Sequence, residues 1–155
     1  MVRTPDVNNG RRGRTLILTV SGLAIAGLAL ASPFGLHQTQ LRANGHELQV
    51  EVADSKASRA LGLMFRRSLG TNEGMVFVYP DQTPVCMWMR LTFIPLTVAF
   101  VSADGTVLNL ADMQPNTDTR HCSTAPAKYA VEANHGWFAT HGIGVGALLE
   151  GLPGQ

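Results

Sequence analysis

From about residue 41 onward the chain breaks into short apolar runs, each closed by turn residues, and that punctuation excludes a fold built on long helices. Asn44-Gly45, Pro80-Asp81 and Asp104-Gly105 are the clearest stops. Asn-Gly and Asp-Gly tolerate the positive φ of two-residue hairpin turns, so they join antiparallel neighbours. Around the first, residues 41–52 read as a hairpin. Leu48, Val50 and Val52 alternate there with Glu47, Gln49 and Glu51, the period of a strand with one face buried and the other in water. Further strand patterns cover 75–79, 85–91, 96–102, 106–110, 127–133 and 145–150, with Pro95 marking an edge or bulge. Asp54 or Ser55 caps a short helix after the hairpin, with Ala57, Ala60, Leu61 and Met64 at helical spacing as its buried stripe. Gly62 interrupts that helix, and one or two further helical turns fall within 135–141. The expected fold is mainly β (α+β): a compact antiparallel β-barrel or sandwich of seven to eight short strands with one or two short helices.

The first forty residues have a different character. Arg11, Arg12 and Arg14 precede an uncharged apolar stretch over 15–31, which ends in Ala29-Leu30-Ala31. A basic start, an apolar run and a small-x-small site are the parts of a secretory signal peptide. As a helix the run is ~25 Å long, short against a bilayer core of ~30 Å. Residues 1–31 are therefore expected to be a signal peptide, or an N-terminal anchor if uncleaved. Residues 32–40 follow as a linker, and 41–155 as a single globular domain. Membrane attachment through 15–31 is expected only in the uncleaved case.

Export changes the charge. Residues before Ser32 hold four of the twelve basic side chains and one of the eleven acidic ones, so the remainder carries eight against ten. A weakly acidic domain with no basic run lacks the electrostatic footprint of a nucleic-acid binder. Cys86 and Cys122, the two cysteines of the chain, are expected to be bridged in an oxidising compartment; spacing alone leaves two buried thiols as the alternative. Cys86, Met87, Met89, Met113, His121 and Cys122 are soft donors, but no compact Met-x-x-Met or Cys-x-x-Cys spacing joins them. No metal and no cofactor is expected. His135 and His141, six apart, suit surface positions, and Gly142-x-Gly144-x-Gly146 suits tight turns.

Two constellations carry possible chemistry. Arg59 and Arg66 lie seven apart, so a helix places them on one face with Gly62 between. Two guanidinium forks over a glycine floor suit a carboxylate, phosphate or sugar hydroxyl. The structural alternative pairs these arginines with carboxylates such as Glu73 or Glu132. On a strand over 85–91, Trp88 and Arg90 share one face and Met87 and Met89 the other. That arrangement offers a stacking wall, or equally a core filling.

Several blocks resemble Domain of Unknown Function 192. They are Arg59-x-x-Gly62-Leu63-Met64-x-Arg66, Gly74-Met75-x-Phe77, Trp88-Met89-Arg90-x-Thr92, Ile94-Pro95-Leu96, Ala127-x-Tyr129-x-x-Glu132 and Gly142-Ile143-x-x-Gly146. The resemblance spans roughly 48–146 and implies a compact, mostly β, often exported domain without a settled molecular function. The family pattern usually has Asn where this chain has Leu91, and Asp where it has Thr97 and Ala147. The loss of an amide and two carboxylates weighs against bond-making chemistry and leaves a set suited to holding a polar ligand.

The resulting expectation is a periplasmic or secreted binding or accessory module. It would hold a small polar or anionic ligand, of sugar or carboxylate type, in a groove of Arg59, Gly62, Arg66, Trp88, Arg90 and Glu132. The alternatives are an enzyme, hydrolytic in type, that uses Glu132 as acid or base, and a structural envelope protein.

Overall fold

A computed structural model describes residues 35–155; the expected signal peptide lies outside them. β1 (Gln38–Ala43) and β2 (His46–Ala53) form the hairpin around Asn44-Gly45, in register from Ala43–His46 to Gln38–Glu51. Residues 38–40, expected as linker, belong to β1. α1 (Lys56–Leu61) is capped by Ser55, whose side chain accepts from the Ser58 amide while Ser58 returns a bond to the Ser55 amide. It stops at Gly62, at φ 51. A Cβ there would sit 3.3 Å from the Phe77 ring, a tight contact, and the positive φ favours glycine. The expected stripe is corrected at two positions: Ala57 and Ala60 are exposed, while Ser58 and Leu63 are buried.

β3 (Glu73–Thr83) continues through Pro80-Asp81 rather than ending there, with a break in register between Val78 and Thr83. β4 (Cys86–Met87), β5 (Leu96–Val101), β6 (Val107–Met113), β7 (His121–Cys122) and β8 (Ala127–Asn134) follow, then α2 (Trp137–Thr140). Among the described residues, six strands form one sheet in the order β1-β2-β3-β8-β5-β6, and β4 pairs with β7.

The sheet is mixed, not purely antiparallel: β2 and β3 run parallel. Parallel neighbours need a crossover, and the segment containing α1 supplies it. Nor does the sheet close into a barrel, because β1 and β6 remain its edges. Residues 145–150, expected as a last strand, instead make two isolated bridges, Leu148 to Thr106 and Glu150 to Arg42. Both faces of the sheet are covered, which makes the domain sandwich-like. Leu48, Val50, Val131, Trp137 and Phe138 belong to one core cluster. Leu63, Met75, Phe77, Met87, Val98 and Phe100 belong to the other.

Candidate functional site

Glu132 sits on the central strand β8, opposite Met75 of β3 and Val98 of β5. It shares a sheet face with Ala130 and so points into the second cluster. Only 3% of the residue is exposed. Burial pushes its carboxyl up to about 8, because removal from water penalises the charged form. It is therefore protonated at neutral pH. No described residue hydrogen-bonds to that carboxyl.

Glu132 opens instead onto a cavity of about 300 Å³. Arg59, Lys56, Tyr79, Trp88 and Thr92 line it, with apolar walls from Leu63, Met64, Phe77 and Met87. Arg59 is aimed by its backbone bonds: Nη1 donates to the carbonyls of Asp54 at 2.5 Å and Val78 at 2.8 Å. Its guanidinium carbon lies 5.5 Å from the centre of the Tyr79 ring, within reach of a cation–π contact. The Tyr79 hydroxyl donates to Met87 Sδ at 3.5 Å. Its pKa is pushed up to about 12 by burial, then by the Glu132 charge, against the opposing effect of Arg59. Tyr79 is thus electrostatically coupled to both groups.

Of the residues singled out from sequence, Arg59, Gly62, Trp88 and Glu132 line this cavity. Arg66 does not, because the helix ends before it. Its guanidinium makes a bidentate pair with Glu51, at 2.7 and 2.6 Å, with side chains 10% and 7% exposed. The partner is Glu51, not Glu73 or Glu132, and Glu51 is buried rather than facing water. Arg90 also lies outside the cavity lining; its Nε donates to Asp118 at 2.9 Å in an exposed pair. Trp88 and Arg90 do not share a strand, since β4 stops at Met87. The chain turns there: the Thr92 amide donates to the Met89 carbonyl and Leu91 takes φ 56.

Cys86 and Cys122 are directly opposed in the β4–β7 pair and form a disulfide, with Cα atoms 4.0 Å apart. Cys86 lines the cavity, so the bridge anchors the strand that leads into Trp88. Sequence reasoning missed Tyr79, Lys56 and Thr92. The alternation Met75, Phe77, Tyr79 on one strand face was the available signal for Tyr79, hidden by reading Pro80 as a stop. Among the described residues, no group of three or more His, Cys, Asp or Glu is placed to hold a metal ion.

The DUF192 family model, described as uncharacterized ACR, matches residues 39–151. The chain belongs to this family. It is 31% identical over 110 residues to the UPF0127 protein PF1050 of Pyrococcus furiosus, covering 68% of this chain and 90% of that one. Two solved structures share the fold. One, from Sinorhizobium meliloti and described as a candidate transcription regulator, has a TM-score of 0.73 and 33% identity, over 75% of this chain and 95% of that one. The other, of unknown function from Novosphingobium aromaticivorans, has a TM-score of 0.72 and 31% identity, over 90% of this chain and 99% of that one.

Proposed function

We propose that this DUF192 domain is an exported binding or accessory module whose cavity holds a small polar or anionic ligand of sugar or carboxylate type. The observation that supports the reading most is the Glu132 carboxyl, on a residue only 3% exposed and opening onto the cavity beside Arg59 and Trp88. The protonated carboxyl both donates and accepts, so it suits a hydroxyl or a carboxylate oxygen. Arg59 commits Nη1 to backbone carbonyls, while Nε and Nη2 bond to no described residue and form the edge of a guanidinium that can take a carboxylate. Trp88 supplies a half-exposed ring for an apolar face. The weakly acidic balance of residues 35–155, eight basic against ten acidic side chains, supports a small-molecule ligand over nucleic acid.

The test is a thermal-shift panel of sugars and small carboxylates, since a ligand that prefers the native state raises its melting temperature. A responding compound is expected to lose its shift in Trp88→Ala and in Glu132→Leu, and to keep most of it in Glu132→Gln, whose amide also donates and accepts. Silence across a panel that also includes longer straight-chain acids overturns the binding reading. Export is checked separately by intact mass of the periplasmic fraction, with loss of residues 1–31 as the expected result.

A second reading, an enzyme with Glu132 as general acid, draws on the same carboxyl, whose value of about 8 suits proton donation near neutral pH. It predicts turnover of the bound compound by the wild type and none by Glu132→Gln.

A further inference from the structure

Four large apolar side chains on the segments that line the cavity stand in water: Phe65 at 56% exposure, Trp88 at 48%, Leu91 at 43% and Phe93 at 43%. Trp88 lines the cavity itself. Phe65 follows the lining residue Met64, and Leu91 and Phe93 flank the lining residue Thr92. The Phe65 amide donates to the Leu91 carbonyl at 2.8 Å, so the two loops, each next in sequence to a lining residue, are tied together. Both tied residues hold positive φ, 66° and 56°, a region that bulky side chains resist. These loops thus accept backbone strain and apolar exposure at the same two positions. A cluster of that kind is the mark of a surface meant to be covered.

The cavity combines polar and apolar groups. Its polar groups, Glu132 and Arg59, meet walls of Leu63, Met64, Phe77 and Met87. A volume of about 300 Å³ is at the small end for ligand sites, so a longer ligand must leave through the mouth, across Trp88. Cationic Arg59 and Lys56 on the lining favour a negative head group.

We infer that the ligand is an amphiphile, a monocarboxylate whose head lies between Arg59 and Glu132 and whose apolar chain runs over Trp88 onto Phe65, Leu91 and Phe93. This rests on the binding reading and narrows it to a chain-bearing acid. The covering partner is then the tail of the cavity ligand rather than another protein.

Calorimetric titration of the full chain with butanoate, hexanoate, octanoate and decanoate, each below its micelle concentration, tests the inference. Affinity is expected to rise about fourfold per methylene that reaches the patch. Asn tolerates positive φ, so Phe65→Asn/Leu91→Asn is expected to fold normally and to bring decanoate down to the affinity of hexanoate. An affinity independent of chain length overturns the amphiphile while leaving the cavity reading intact. A slope that survives in the double variant also overturns it, because the chain then binds elsewhere. Equal binding of decyltrimethylammonium overturns the carboxylate head. If no acid binds at all and the sugars and small carboxylates are equally silent, the cavity reading itself has failed.

Discussion

Glu132 ties pH to stability in a direction opposite to that of most surface carboxylates. Its folded value of about 8 stands above its ordinary 4.5, so between those values the folded state holds a proton that the unfolded state has released. Stability from the neutral form is complete below about 4.5 and is lost as pH rises through about 8, by up to roughly tenfold in the folding equilibrium per pH unit. Tyr79, pushed up to about 12, stays neutral through this window. Urea midpoints of the wild type are therefore expected to fall from pH 5 to pH 8.5, and those of Glu132→Gln to change less. Equal slopes in the two proteins show that Glu132 is not the titrating group. Arg66 belongs to the same scale with a different role. Arg66→Ala removes the bidentate pair with the buried Glu51 carboxylate and is expected to cost up to roughly 3–5 kcal/mol, read as a lower urea midpoint. The presence of an arginine at 66 in a family block was legible; its partner was not, because Glu51 sits in an alternating pattern that reads as solvent-facing.

At the scale of elements, the readings that held were those governed by local chemistry. Asn44-Gly45 sets the β1–β2 register and Ser55 caps α1; the Cys86–Cys122 bridge, which spacing alone left open, closes β4 onto β7. The readings that failed depended on what packs against the element. Helical spacing carries from Ala57 to Met64, yet Gly62 must pass the Phe77 ring and the helix stops. Alternation carries from Met87 to Arg90, yet the Met89 amide donates to the Thr117 carbonyl and the Asn116 amide to the Thr92 carbonyl, which turns the segment away from a strand. Arg66 and Arg90 left the candidate site for these two reasons. The disulfide closes a sequence separation of 36, worth about 3–4 kcal/mol in the loop-entropy account. Cys86→Ser/Cys122→Ser is expected to lose stability of that order by urea denaturation. Because Cys86 lies on the cavity wall, the same variant is expected to shift the Trp88 fluorescence at native conditions. An unchanged spectrum would mean that the bridge does not position Trp88.

For the whole molecule, the problem left by an open six-stranded sheet is its two edges, which invite pairing with other chains. The chain after Gly146 addresses both. Val107 and Ala147 pair near the start of β6, the Leu149 amide donates to the Gly105 carbonyl, and Glu150 and Arg42 exchange bonds at β1. Gly151, at φ 81, then passes so near the Gln40 carbonyl that a side chain would collide with it. Leu149 and Leu152 are buried in the first core cluster. Residues 145–150 show the alternation of a strand, and no local pattern reveals that the segment bridges two edges instead of lying along one. Removing residues 147–155 strips two leucines from the core, at about 1.5–3 kcal/mol each, out of a total of about 5–15 kcal/mol for a domain. It also uncovers β1. The truncated chain is therefore expected to show a lower urea midpoint together with self-association by light scattering. Leu149→Ala/Leu152→Ala, which keeps the backbone bridges, is expected to lose stability but stay monomeric. Association in both variants would assign edge protection to the buried leucines instead of the bridges, and a monomeric truncated chain of unchanged midpoint would deny the segment either role.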